Sequence, residues 1–99
     1  MPPEILAHAV KLIRQGYSTG WPLARTPGGR PVAPTHPSAA SWSLQGAFIR
    51  ASYDLRLHHV MQTARCVVAD RLWTQYKIHI AWAELDPRMT QAIALSLFE

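Results

Sequence analysis

The chain has 99 residues, 48% of them hydrophobic and only 16% charged, with a formal net charge of +4. That length allows one domain spanning 1–99, and the apolar fraction excludes intrinsic disorder. One cysteine, Cys66, excludes an internal disulfide framework, no apolar run reaches the ~18 residues of a membrane span, and no signal-peptide pattern precedes the first apolar residues, so a cytoplasmic protein is expected.

The first predicted element is a helix over residues 1–15. Ile5, Leu6, Ala9, Leu12 and Ile13 repeat along one face of a 3.6-residue period. Pro2 and Pro3 suit a first turn, where the amide has no partner. Glu4 near that end, and Lys11 and Arg14 near the other, complement the helix dipole. Gly16 is the expected left-handed cap.

Residues 16–37 are punctuated by Pro22, Pro27, Pro31, Pro34 and Pro37, which excludes a helix there. Leu23-Ala-Arg25 and Arg30-Pro-Val32 flank Thr26-Pro27-Gly28-Gly29. Pro followed by Gly predicts a type II turn, and so a short hairpin or irregular segment. Pro31 confines its strand to a sheet edge.

A second helix is predicted over 38–53, from the repeat of Leu44, Ala47, Phe48 and Ala51. Gly46 within it costs about 1 kcal/mol relative to Ala, which points to close approach of another backbone. Asp54 is the expected cap of a long third helix over 54–75, with Leu57, Val60, Met61, Ala64, Val67, Val68 and Leu72 on its apolar face. Residues 76–89 form a connector in which Ile78, Ile80 and Trp82 allow a strand or a helical turn. A last helix follows over 90–98, capped by Thr90 or Asp86, with Ile93, Ala94 and Leu97 inward. The fold expected is mainly α, a small bundle of three to four helices with the hairpin between the first two.

Several segments together resemble a known family. They are Gly20-Trp21, Leu23-Ala-Arg25, Gly29-Arg30-Pro31-Val32, Trp42-Ser-Leu-Gln-Gly46-Ala47, Ile80-Ala-Trp82 and Thr90-Gln91. In that order they are similar to small bacterial and phage-associated proteins grouped as domain of unknown function 6197. The resemblance implies a mainly helical domain and supplies no catalytic residue. Family members often carry Cys around the central Trp and Asn-Asp after the second. Here Ser41 and Ser43 stand in the first place and Ala83-Glu84 in the second, which turns attention to Glu84 and Asp86.

Candidate chemistry is sparse. His58 and His59 are adjacent on a predicted helix and point about 100° apart, so they do not suit one metal. Cys66 lies two turns beyond His59, in the apolar setting Arg65-Cys-Val-Val68, which reads as a buried structural thiol. Neither a cofactor nor a catalytic set is expected. From Ile5 to Tyr53 the chain holds Lys11, Arg14, Arg25, Arg30 and Arg50 and no acid. Four Trp residues either reinforce a small core or leave aromatic area facing a partner. The leading expectation is a non-enzymatic protein that binds another protein or itself, as a phage or mobile-element accessory factor. Its expected contact residues are Trp21, Arg25, Arg30, Trp42, Arg50 and Trp82. One alternative is nucleic-acid binding through the basic segment 5–53, and another is a metal- or Cys/His-dependent enzyme using His58, His59, His79 or Cys66.

Overall fold

The computed structural model describes residues 3–19 and 23–98. The first helix, α1 (Pro3–Gln15), buries Ile5, Leu6, Ala9, Leu12 and Ile13, the face its spacing predicts. Glu4 lies in its first turn and Arg14 in its last. Gly16 follows without the left-handed conformation expected of a cap: among the described glycines only Gly29 has a positive φ. Position 16 needs glycine for another reason, because a Cβ there would strike the Ala40 carbonyl oxygen.

Three two-residue strands follow: β1 (Ala24–Arg25), β2 (Pro31–Val32) and β3 (Ser41–Trp42). They form an antiparallel sheet in the order β2-β1-β3. Ala24 pairs with Val32 on one side and Trp42 on the other. Pro31 sits on the edge, as its missing donor requires. The hairpin turn differs from the type II expectation. Gly29 N donates to Thr26 O at 2.9 Å, and Thr26 N to Arg30 O at 2.9 Å. The left-handed residue is Gly29 (φ 87°), one position later than a type II turn needs. This is a three-residue loop closed by a left-handed glycine.

The predicted start of the second helix at 38 is corrected. Residues 33–39 make two consecutive turns, with His36 N donating to Ala33 O and Ala39 N to His36 O, both at 3.0 Å. Pro34 and Pro37 each occupy the second position of one turn, where their fixed φ fits. The amides of Ala40 and Trp42 then bond to Arg25 O at 2.8 Å and Gly16 O at 3.1 Å, so the chain joins the sheet. The helix α2 (Leu44–Leu55) begins only after its cap Ser43, whose Oγ accepts from Gly46 N at 3.1 Å. Trp42 therefore does not share a helix face with Gly46. The close approach expected at Gly46 is present: a Cβ there would overlap the Leu23 carbonyl oxygen.

The long helix expected over 54–75 is broken near its start. Asp54 belongs to the last turn of α2 and caps nothing. Arg56 turns left-handed (φ 56°), closed by Leu57 N donating to Ser52 O at 2.9 Å. A 3-10 turn (His58–Val60) leads into α3 (Met61–Tyr76), which buries Ala64, Val68 and Leu72. Leu57, Val60, Met61 and Val67 are only partly covered. The connector holds a 3-10 helix (Ile80–Leu85), not a strand. The last helix, α4 (Gln91–Phe98), starts at Thr90, whose Oγ1 accepts from Ile93 N at 3.2 Å. Asp86 is not its cap. The core joins α1, α2, α3 and α4, with Phe98 edge-on to Phe48 at 5.3 Å between ring centroids.

Glycine-to-alanine changes separate the two uses of glycine. An exposed helical glycine gains about 1 kcal/mol on replacement by alanine. At Gly46 the sign reverses, because backbone must move. Gly46→Ala is expected to lower unfolding free energy by roughly 1–3 kcal/mol, as overpacking does. Gly28→Ala, at an open position without positive φ, should change it by less than about 0.5 kcal/mol. Urea unfolding of both variants measures this contrast.

Candidate functional site

Of the residues expected to contact a partner, Trp21 lies outside the described residues. Trp42 faces inward and is 3% exposed. Its indole Nε1 donates to Pro34 O at 3.1 Å. Arg50 lies over its ring, 5.6 Å from the centroid, and donates to Pro34 O at 3.1 Å and His36 O at 3.0 Å. Arg50 Nε also bonds Asp54 Oδ1 at 3.0 Å, while the other oxygen of Asp54 meets His8 Nε2 at 2.9 Å. Trp42 and Arg50 are thus brought together, as a pin holding the 33–39 turns against α2. Arg25 donates to Gly29 O at 2.8 Å within the hairpin, whereas the Arg30 side chain is exposed at its end.

Large apolar side chains lie exposed elsewhere, Tyr53 on α2 and three more on α3 and the segment after it. Trp82 is 66% exposed on the 3-10 helix after α3, and Trp73 is 52% exposed on α3 itself. Leu85 adds a third exposed apolar side chain to this part of the chain. Between α3 and the 79–80 backbone lies a cleft of about 470 Å³ lined by Cys66, Ala69, Asp70, Trp73, His79 and Ile80. Cys66 is exposed there, which corrects the reading of a buried thiol. The helix begins later and packs through Ala64, Val68 and Leu72, so Cys66 points away from that face. Trp73, exposed here, is not among the contact residues expected from the sequence. It follows Leu72 directly and so falls about 100° off the buried stripe, a Trp on the polar side of an amphipathic pattern.

The polar side of this region is structural. Glu84 is buried, and its carboxylate accepts from Gln45 N at 2.9 Å and Gln45 Nε2 at 2.8 Å. It places negative charge on the first turn of α2, where the dipole favours it. Gln45 Nε2 also reaches Ile80 O at 3.2 Å, and Gln45 Oε1 accepts from Arg65 Nη2 at 3.3 Å. The network ties the Trp82 segment to α2 and α3. His79 Nδ1 accepts from Ala81 N at 3.2 Å, fixing the start of that segment. Asp86 and Arg88 form a surface fork, and the guanidinium holds the Asp86 carboxyl below its ordinary range. His58 and His59 are exposed on the 3-10 turn before α3, not on the helix.

Among the described residues, no three His, Cys, Asp or Glu side chains are grouped to hold a metal ion. Among them too, no helix is long and apolar enough to cross a membrane. No family model, curated protein or solved structure shows significant similarity to the chain.

Burial pushes the Tyr17 hydroxyl up from 10.0 to about 12, and the Glu84 carboxylate adds to the rise. Below pH 10 the phenol is neutral in both folded and unfolded chains, so stability is unaffected. Between pH 10 and 12 the unfolded chain ionises first and stability falls. The urea midpoint should drop across that interval. Tyr17→Phe should make the drop shallower; an identical drop in the variant contradicts the assignment.

Proposed function

We propose that this chain is a small non-enzymatic protein that works by binding another protein through α3 and the adjoining 3-10 helix. The supporting observation is the division among its tryptophans. Trp42 is buried and hydrogen-bonded, while Trp73 and Trp82 are more than half exposed. Full burial of a large aromatic side chain removes ~150–250 Å² from water, more than half of which Trp73 and Trp82 each forgo, and aromatic side chains are enriched where partners dock. The Glu84–Gln45–Arg65 network holds the segment that carries Trp82, so this surface is presented on a preorganised frame.

The nucleic-acid reading draws less support. Arg25 and Arg50 direct their guanidinium groups to backbone carbonyls of their own chain. The segments resembling domain of unknown function 6197 include Gly29 at the hairpin and Trp42 to Ala47 at the junction of β3 and α2, which are positions that build the fold. The phage or mobile-element role rests on that resemblance alone.

The test is affinity capture from the native host with the full chain as bait. A partner retained by the wild type should be lost at least tenfold with a Trp73→Ala/Trp82→Ala bait of unchanged circular dichroism. Hot-spot aromatics carry energies of that size or more. Equal retention by both baits contradicts the assignment of the surface.

A further inference from the structure

We infer that the outward face of α3 binds a second copy of this chain, as a two-fold antiparallel pair centred on Trp73. This rests on the protein-binding reading and names the partner. α3 and its cap carry Arg65, Asp70, Arg71 and Lys77 as their charged residues. Two of these face the chain's own core: Arg65 bonds Gln45, and Arg71 donates to Leu97 O at 2.8 Å. The outward face is left with Asp70 and Lys77, three residues before and four after Trp73.

The spacing of three puts Asp70 and Trp73 on one stripe of α3, and Lys77, the left-handed cap residue just beyond the helix, is brought to that stripe by its contact with the Trp73 ring. Lys77 Nζ lies 5.4 Å from the centroid of the Trp73 ring, which orients the ammonium along the face. In an antiparallel pair of identical helices, a two-fold axis beside Trp73 sets each Asp70 opposite the Lys77 of the other copy. At 1.5 Å per residue, the opposite charges lie about 5 Å to either side of the axis. The pattern is complementary to itself, which a two-fold interface requires. A parallel pair, or an axis displaced by one turn, leaves both charges unmatched. Trp73 supplies the central apolar contact, and Cys66 with Ala69 continues it along the cleft.

The test uses the full chain in sedimentation velocity over a range of concentrations. Wild type is expected to shift from monomer to dimer. Asp70→Lys and Lys77→Asp should each weaken dimerisation at least tenfold, since like charges then meet across the axis. Aspartate tolerates the left-handed conformation at position 77 (φ 58°), so folding should persist and circular dichroism checks it. An equimolar mixture of the two variants should dimerise as strongly as wild type within about threefold, because every pair across the axis is again opposite in charge.

A mixture that stays monomeric overturns the antiparallel register. A wild-type chain that stays monomeric at every concentration overturns self-association. In that case, Trp73-dependent capture of a different protein leaves the binding surface standing, and its absence as well removes both readings.

Discussion

The backbone of Leu23 lies against the first turn of α2 so closely that only glycine fits at position 46. The same Leu23 carbonyl accepts from Ser43 N at 2.9 Å, so strand and helix meet at a single point. Much of the fold is positioned by that contact. It sets the spot where β3 ends and α2 begins, and Ser43 can cap the helix because the sheet has delivered it there. Glu84 then reaches the adjacent amide of Gln45, which fixes the Trp82 segment to the same helix end. A second close approach, of Gly16 to Ala40, holds the end of α1 against the chain entering β3. Two glycines thus do with absent atoms what a larger domain does with core volume.

The helical framework was legible in the sequence wherever apolar residues repeated without a competing local signal. α1 and α4 follow their patterns closely, and the mainly helical bundle with a hairpin between its first two helices is the observed architecture. Reading broke down where a short-range hydrogen bond outweighed periodicity. The stretch 38–43 contains helix formers, but its amides join the sheet and the preceding turns. At Arg56 the apolar pattern runs on while the backbone turns left-handed, a conformation that arginine gives no hint of. Gly16 and Gly29 show the converse: the type of residue was informative, yet which need it answered, space or a positive φ, depended on neighbours distant in sequence.

The candidate surface was less legible. Trp82 is exposed, but Trp42 and Arg50, chosen by residue type, form an internal pin. An arginine beside a tryptophan looks the same in sequence whether it awaits a partner or holds a loop. Three carbonyl and carboxylate acceptors around Arg50 decide the matter, and none is contiguous with it except Asp54, one helical turn on. Trp73 and Cys66 came to the surface together because α3 starts at Met61 and packs through a narrow stripe of Ala64, Val68 and Leu72. The alanine stands at the N-terminal end of that stripe, and the opposite side is left broad and weakly charged.

The hydrogen bond from Gln91 Nε2 to Ile13 O, at 2.8 Å, has a consequence for how the chain comes to be folded during synthesis. It joins the end of α1 to the start of α4 across 78 positions. The apolar face of α1, with Ile5, Leu6, Ala9, Leu12 and Ile13, packs on both α2 and α4. When α1 leaves the ribosome, α4 has not yet been made. The helix can meet α2 as soon as α2 is made, but part of its stripe stays uncovered until α4 has emerged from the exit tunnel, so the cover of the first helix is completed by the last.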